Sequence, residues 1–315
     1  MDTRQALELA SRHLRQLPGK EFEVLTIAKP QSLDAAVNLA KVVSKLSPLL
    51  GNLIEFNTVE YLNEVPEFAG LEGTWRRRDP GFPDTVFDGA ISPTPGFEIK
   101  AWFPLATEIT ARFKDSQNHF TEGATWVAML AWLPSELFFG TPRLVGCCIV
   151  SGQSVAAARD LHYHSPPDYL VLEPEDTSSR TINLQQTNTN GYKFQGTSAE
   201  RAEAVRMVAS FGPDGRTYSP SRDYQVRLRD LMGSFTYRLD TNFAKMDRIQ
   251  HPEIERFKRQ VMGTTMAGAT IQQWAKLLTA VNKEMRDRET SGDPTAGPAE
   301  SRLRRELRSR FGFEE

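Results

Sequence analysis

Residues 81–102 read GFPDTVFDGAISPTPGFEIKAW and predict two short β-strands joined by a turn. Residues 85–91 and 97–102 are rich in side chains that favour strands. Residues 92–96 between them carry two prolines and a glycine, which is typical of a turn. The chain continues apolar through Trp102 and Phe103, so we expect the second strand to be buried rather than to form a wet edge.

Charged side chains alternate with apolar ones along this stretch. Because successive side chains of a strand point to opposite faces, Glu98 and Lys100 share one face, and Asp84 and Asp88 share a face of the first strand. A hairpin folded about Thr94 would place Asp88 nearly opposite Lys100, with Glu98 on the diagonal. We therefore expect two or three carboxylates and one ammonium group to converge on one patch.

Such a patch has a chemical use. Mg²⁺ binds through one or two carboxylates plus a substrate phosphate. The bound ion lowers the pKa of a water molecule and stabilises the charge on a phosphorus centre under attack. A neighbouring lysine can orient or deprotonate that water and offset negative charge. Burying an ionisable group on a strand costs desolvation free energy unless the group binds a ligand. This favours a metal-binding patch over a solvated Glu–Lys pair.

The pattern Pro83-Asp84 followed by Glu98-Ile99-Lys100 resembles the signature of the PD-(D/E)XK nuclease superfamily. The chain around it looks like a type II restriction endonuclease. The resemblance implies a mixed sheet of a few strands flanked by helices, Mg²⁺ as cofactor, and hydrolysis of phosphodiester bonds in double-stranded DNA. It also implies a 5′-phosphate and a 3′-hydroxyl as products.

Four side chains are the candidate catalytic residues by this resemblance: Asp84, Asp88, Glu98 and Lys100. Asp84 or Asp88 would hold the metal together with Glu98, while Lys100 would position the water. The superfamily signature selects Asp84. Hairpin geometry selects Asp88, because Asp84 lies farther from the turn by roughly 13 Å along a strand. A bulge at Gly89 or a longer turn would allow Asp84 to reach Glu98 and Lys100.

Length and charge limit the remaining possibilities. The chain has 315 residues and a formal net charge of −2, which argues against a sequence-independent coat protein for nucleic acid. An enzyme can still line one cleft with basic side chains. Cys147 and Cys148 are adjacent in an apolar run and predict buried thiols rather than a disulfide framework. No signal peptide or membrane span is visible, so we expect a cytoplasmic protein without a membrane partner.

Predicted strands and helices alternate after the hairpin, which indicates an α/β (α+β) core with a mixed sheet. We expect residues 1–212 to form the nuclease core with an N-terminal helical part. Residues 213–290 would form a helical C-terminal region packed on that core. Residues 291–315 would form a linker and a basic terminal helix.

Candidate DNA contacts lie in three segments. The three arginines before the hairpin can meet phosphates, or form a solvated turn in which Arg78 pairs with Asp79. A helix predicted from about residue 106 to 119 would face the substrate by the resemblance. The amide-rich run 183–193 can read base edges or form a polar surface loop. The individual candidates are Arg76, Arg77, Arg78, Arg112, Lys114, Gln117, Asn118, Asn188, Asn190, Tyr192 and Lys193.

Other charged groups have less specific interpretations. Glu55 and Glu60 lie on a predicted helix at 52–65. In the superfamily a helix before the hairpin sometimes adds a carboxylate to the metal site, but we interpret both as exposed helix charges. The terminal helix is crowded with arginines, which fits a phosphate-binding tail or a solvated end. These arginines are Arg302, Arg304, Arg305, Arg308 and Arg310.

Together, motif and resemblance predict an Mg²⁺-dependent type II restriction endonuclease acting as a homodimer, since two-fold symmetry matches a palindromic site. A cognate DNA methyltransferase is expected in the same system but not as a physical partner. One alternative is a repair, recombination or nonspecific nuclease of the same fold. Another is a non-catalytic DNA-binding module, against which the intact Asp…Glu-x-Lys set argues.

Overall fold

The structure is a computed structural model and describes residues 1–23, 25–78, 81–105, 123–163, 171–174, 199, 202, 206, 237–240, 251–291 and 296–314. The chain divides into two compact units. The first consists of Met1–Ile109, Glu122–Gly152 and Pro252–Glu315, and the second of Thr110–Thr121 and Gln153–His251. The predicted domain boundaries after residues 212 and 290 stay predictions.

Helices precede a five-stranded sheet in the first unit. The helices are α1 (Thr3–Leu14), α2 (Leu33–Val42), α3 (Ser47–Asn63) and α4 (Pro66–Ala69), with a 3₁₀ turn at Val43–Leu46. The strands are β1 (Gly73–Arg77), β2 (Thr85–Gly89), β3 (Gly96–Trp102), β4 (Thr125–Pro134) and β5 (Pro142–Ser151).

Helix α5 (Gly152–Tyr163) follows β5 in the chain, and the second unit contains the antiparallel pair β6 (Val171–Pro174) and β7 (Tyr237–Asp240). The C-terminal part of the first unit is helical, with one small hairpin. Its elements are α6 (Pro252–Gly263), β8 (Thr265–Met266), β9 (Ala269–Thr270), α7 (Ile271–Ser291) and α8 (Pro298–Phe311).

The sheet of the first unit is mixed. Its strand order is β1-β2-β3-β4-β5, with β3 and β4 parallel and the other neighbours antiparallel. This confirms the predicted mixed sheet flanked by helices. The central strand β4 is an almost continuous apolar run, and all of its residues except Trp126 are buried. Such a run is what a strand covered on both faces requires.

Side-chain caps explain where the first helices begin. Asp2 and Gln5 form a capping box, in which Asp2 Oδ1 accepts the Gln5 N–H at 2.8 Å and Gln5 Oε1 accepts the Asp2 N–H at 2.9 Å. Ser32 caps α2 by accepting the Ala35 N–H at 3.2 Å.

An aromatic cluster joins the first three strands to α4. Trp75 of β1 packs against Phe68, Phe87 and Phe97, with ring centroids 5.5–5.6 Å apart. Phe87 and Phe97 are fully buried and Trp75 is 1% exposed. The large apolar area removed from water by these four rings stabilises this end of the sheet.

Asn63, the last residue of α3, pairs with the outer edge of β1. Its Oδ1 accepts the Trp75 N–H at 2.8 Å, and its Nδ2 donates to the Trp75 carbonyl at 3.0 Å. The Thr74 hydroxyl also donates to Asn63 Oδ1, at 2.8 Å. A side chain thus satisfies backbone groups that an edge strand would otherwise leave open. The contact fixes α3 beside β1 and β3, against which it packs.

The terminal helix α8 belongs to the first unit rather than extending from it. Leu303 and Leu307 are fully buried, and the helix packs against α7 and α2. Arg304 pairs with Asp34 at 2.6 Å, and Arg310 Nη1 donates to the Ala267 carbonyl at 2.8 Å. At least two of the five arginines therefore stabilise the fold itself.

Both cysteines lie on β5 and carry free thiols. Cys148 is buried, as predicted, while Cys147 is half-buried. Burial raises the pKa of Cys147 to about 12 and that of Cys148 to about 11. Neither thiol is a reactive thiolate near neutral pH.

Candidate active site

The register of β2 against β3 differs from the predicted one. Thr85, the first residue of β2, lies opposite Phe97. Asp88 is near the other end of β2, beside the connection to β3, and is therefore far from Lys100. The Asp88 carboxylate instead pairs with Arg76 at 3.1 Å on the exposed surface. The expectation that Asp88 would lie opposite Lys100 is therefore wrong.

The long connection at residues 90–95 is the reason. Phe87 N–H donates to the Pro95 carbonyl at 2.9 Å, which continues the register of Val86 opposite Gly96 and centres the turn on Ile91 rather than on Thr94. The Thr3 hydroxyl of α1 donates to the Pro93 carbonyl and attaches the connection to the first helix. The added length moves the pairing toward the N-terminal end of β2.

Asp84 lies immediately before β2, where the chain diverges from β3. Its Oδ2 accepts the Ile99 N–H at 2.7 Å and lies 3.5 Å from Lys100 Nζ. The carboxylate therefore occupies a ladder position on β3 that β2 does not reach. The structure brings Asp84, the aspartate that the superfamily signature selects, next to the Glu-x-Lys motif.

Glu98 and Lys100 share one face of β3, as the strand period predicts. Lys100 Nζ donates to Glu98 Oε1 at 2.5 Å and thereby links both carboxylates. Glu98 is 8% exposed, and its other oxygen, Oε2, is buried without a hydrogen-bond partner in the described part of the chain. A buried carboxylate oxygen without a donor is costly, so this atom is suited to a cation.

Burial is the largest single influence on the pKa of each member of this pair, but it prevails only for Glu98. It raises the pKa of Glu98, because the attraction of Lys100 offsets only part of the desolvation. Burial also acts to lower the pKa of Lys100, but the charges of Glu98 and Asp84 outweigh it and leave the pKa above its ordinary value. Lys100 is therefore an ammonium ion at neutral pH.

Glu55 of α3 is a further carboxylate of the site, and its interpretation as an exposed helix charge is wrong. Its side chain is only 20% exposed, and its Oε2 lies 3.5 Å from Arg77 Nη2. Burial, and secondly the charge of Asp84, raise the pKa of Glu55 to about 7. Glu60 is exposed, as expected.

The helical period contains a signal that would have found Glu55. It lies four residues after Gly51 and three and four residues before Thr58 and Val59, all of which are buried. Positions with this spacing share one side of a helix. Glu55 therefore belongs to the side of α3 that faces the sheet, whereas Glu60 does not.

Two carboxylates and one ammonium group form the centre of the site, with Glu55 as the next carboxylate. Among the described residues, no three His, Cys, Asp or Glu side chains are arranged to hold a metal ion by themselves. Asp84 and Glu98 are the residues that could hold one, together with water or a substrate phosphate.

The three consecutive arginines have separate environments. Arg76 is exposed beside Asp88, whereas Arg77 Nη2 lies 3.3 Å from Asn52 Oδ1, next to Glu55. Arg78 Nη1 donates to the Phe82 carbonyl at 3.4 Å. Asp79, the predicted partner of Arg78 in a solvated turn, lies outside the described residues.

The other candidate DNA contacts also lie outside the residues that the structure describes. They are Arg112, Lys114, Gln117, Asn118, Asn188, Asn190, Tyr192 and Lys193.

A pocket of about 130 Å³ lies among the C-terminal helices of the first unit, where Trp274, Arg302 and Arg310 are among its lining residues. The carboxylates of the site do not line it. Within the described ranges, no helix is long and apolar enough to cross a bilayer.

Comparisons of the chain with models of protein families, with curated proteins and with solved structures find no match. The resemblance to PD-(D/E)XK nucleases therefore stays a prediction, supported by the motif and by the arrangement of Asp84, Glu98 and Lys100.

Proposed function

We propose that this protein is an Mg²⁺-dependent endonuclease that hydrolyses phosphodiester bonds in double-stranded DNA at a specific site. The observation that carries the proposal is the contact of Lys100 Nζ with both Asp84 and Glu98. This is the residue set of the Asp…Glu-x-Lys motif, assembled at a fork between two strands. Site-specific cutting as a homodimer is part of the proposal, because a two-fold pair would place one site on each strand of a palindrome.

The residues of the site fit a divalent cation. Glu98 Oε2 is buried and has no hydrogen-bond partner among the described residues, so it is an unsatisfied acceptor that a cation can bind. Asp84 and Glu98 would hold the ion, and Glu55 would add negative charge beside it. When bound, Mg²⁺ supplies a water of lowered pKa and stabilises charge on the phosphate.

Lys100 has the role of orienting a water molecule and offsetting charge. Because its pKa lies above the ordinary value, it carries a proton and does not act as a base at neutral pH. Its ammonium group has three donors, of which one contacts Glu98 and one can contact Asp84. A remaining donor can hold a water or a phosphate oxygen as negative charge develops.

Cleavage assays with purified protein test the proposal. Plasmids of varied sequence are incubated with Mg²⁺ or with EDTA, and the products are separated by electrophoresis. Discrete bands that require Mg²⁺ support site-specific cleavage, and a smear supports a nonspecific nuclease. DNA left intact with Mg²⁺ contradicts the proposed Mg²⁺-dependent endonuclease.

Three variants assign the chemistry to the site. E98Q and K100A should each lower the cleavage rate by about 100-fold or more. E98Q removes a metal ligand, and K100A removes the ammonium group that offsets developing charge. D88N is the matched control: Asp88 is an acid of the same hairpin, but it pairs with Arg76 on the exposed surface. Wild-type rates in E98Q or K100A would contradict the assignment.

A further inference from the structure

The alternation of strand β1 separates two adjacent arginines. Arg76 points to one face, where it is 66% exposed and pairs with Asp88. Arg77 points to the other face, and only 29% of its side chain is exposed. The two residues have the same chemistry and the same strand but different surroundings.

Two residues of α3 contact the Arg77 guanidinium. Its Nη2 lies 3.3 Å from Asn52 Oδ1 and 3.5 Å from Glu55 Oε2. A planar guanidinium held in this way is pre-organised, so less rotamer entropy is lost when it binds an anion. Arg77 lies opposite Thr85, the residue that follows Asp84, and the Arg78 N–H donates to the Asp84 carbonyl at 2.8 Å. This register places Arg77 at the border of the candidate active site.

Before a metal ion binds, the charge balance of the site calls for a second cation. A DNA phosphate that enters adds negative charge to that of Asp84, Glu98 and Glu55. Lys100 is already paired with two of these carboxylates. In the described part of the chain, Arg77 is the cation that pairs with Glu55, the third carboxylate. Arginine is suited to phosphate because its donors form a planar fork.

We propose that Arg77 binds a phosphate of the DNA backbone beside the scissile bond, and that Glu55 and Asn52 are positioning residues for its guanidinium. This inference rests on the proposed function and identifies the backbone contact nearest the site. Of the three consecutive arginines, Arg77 has this role and Arg76 does not.

The test is DNA binding measured without cleavage. Fluorescence anisotropy of a fluorescein-labelled duplex of mixed sequence is recorded in EDTA over a series of NaCl concentrations. R77A should bind about 10-fold more weakly, and the slope of log Kd against log salt should fall by about one, as the loss of one phosphate contact requires. R77K should keep the slope but lose affinity, because it keeps the charge and loses the fork.

R76A is the matched control and should bind as the wild type does. The salt slope separates a lost phosphate contact from misfolding, since a partly unfolded sample lowers the active fraction without changing the slope. Wild-type affinity and slope in R77A, or an equal loss in R76A, would overturn the inference while leaving the proposed nuclease intact.

The two proposals can fail separately. If the slope of log Kd against log salt falls by about one in R77A but the wild-type chain cuts no DNA with Mg²⁺, the phosphate contact is supported and the nuclease proposal is contradicted. If the wild-type chain has no measurable affinity for the duplex in EDTA, the phosphate contact is overturned, and the cleavage assay with Mg²⁺ still decides the nuclease proposal.

Discussion

The carboxylate of Asp84 accepts the backbone N–H of Ile99 at 2.7 Å, so a side chain fills a position that a paired strand would otherwise occupy. The same Oδ2 atom lies 3.5 Å from Lys100 Nζ. One acid therefore has a structural partner in the backbone and a chemical partner in the candidate site.

These two roles of Asp84 are separable by substitution. D84N keeps an oxygen that can accept the Ile99 N–H but loses the charge, so we expect near wild-type stability with cleavage lowered by about 100-fold or more. D84A leaves the Ile99 N–H without its acceptor and should cost about 1–3 kcal/mol of stability. Urea unfolding and plasmid cleavage measure the two effects. A D84N variant that cuts at the wild-type rate would contradict the assignment.

Glu98 should couple metal binding to stability. A ligand that binds the folded chain raises its stability by RT ln(1 + [L]/Kd), which is about 2.7 kcal/mol at a concentration of 100 Kd. We expect the Tm of the wild-type protein to rise with Mg²⁺ and the Tm of E98Q to respond little. Calorimetry with and without Mg²⁺ measures this without any cleavage assay. D88N should respond as the wild type does, and an equal response in E98Q would argue against Glu98 as a ligand.

Glu55 should make stability depend on pH in the absence of metal. Its pKa is raised from 4.5 to about 7, so the folded chain binds this proton more tightly than the unfolded chain does. The stability that this provides is fully present below pH 4.5 and is lost as the pH rises through 7. The full shift would correspond to about 3 kcal/mol, and partial exposure lowers the expected effect to about 2 kcal/mol.

E55Q removes this titration. Urea unfolding in EDTA at pH 5 and pH 8 should therefore show a smaller loss of stability in E55Q than in the wild type. E60Q is the control, because Glu60 lies on the exposed side of the same helix. Parallel pH profiles for the wild type and E55Q would show that Glu55 is not held in this environment.

Asn63 should contribute more to stability than an ordinary polar residue at a helix end. N63A removes the partners of the Trp75 N–H and carbonyl and of the Thr74 hydroxyl, so we expect a loss of about 2–4 kcal/mol. N57A is the control, because among the described residues Asn57 donates only to the Leu53 carbonyl within α3. Urea unfolding compares the two variants, which should differ by more than about 1 kcal/mol.

The period of the strand was sufficient to predict one half of the site. Glu98 and Lys100 are two residues apart, so any strand at this place brings them to one face. The mixed sheet and the buried strand β3 also follow from local patterns of apolar residues. These features depend on a few neighbouring residues, which is why the sequence reveals them.

The other half depends on distances that local patterns do not contain. The choice between Asp84 and Asp88 follows from the length of the connection 90–95, which the pattern did not specify. The difference between Arg76 and Arg77 requires the register of β1. Glu55 reaches the site because α3 packs against the sheet, and its helical spacing is the sole local sign of this.

The connection at residues 90–95 acts as a spacer that decides which acid faces the lysine. Because side chains alternate along β2, removing one residue from the spacer would slide the strand by one position and turn Asp84 to the opposite face. Removing two residues would return Asp84 to its present face, but a residue other than Asp84 would then lie beside the Ile99 N–H. The chemistry of this hairpin is therefore encoded as much in the number of its loop residues as in their identity.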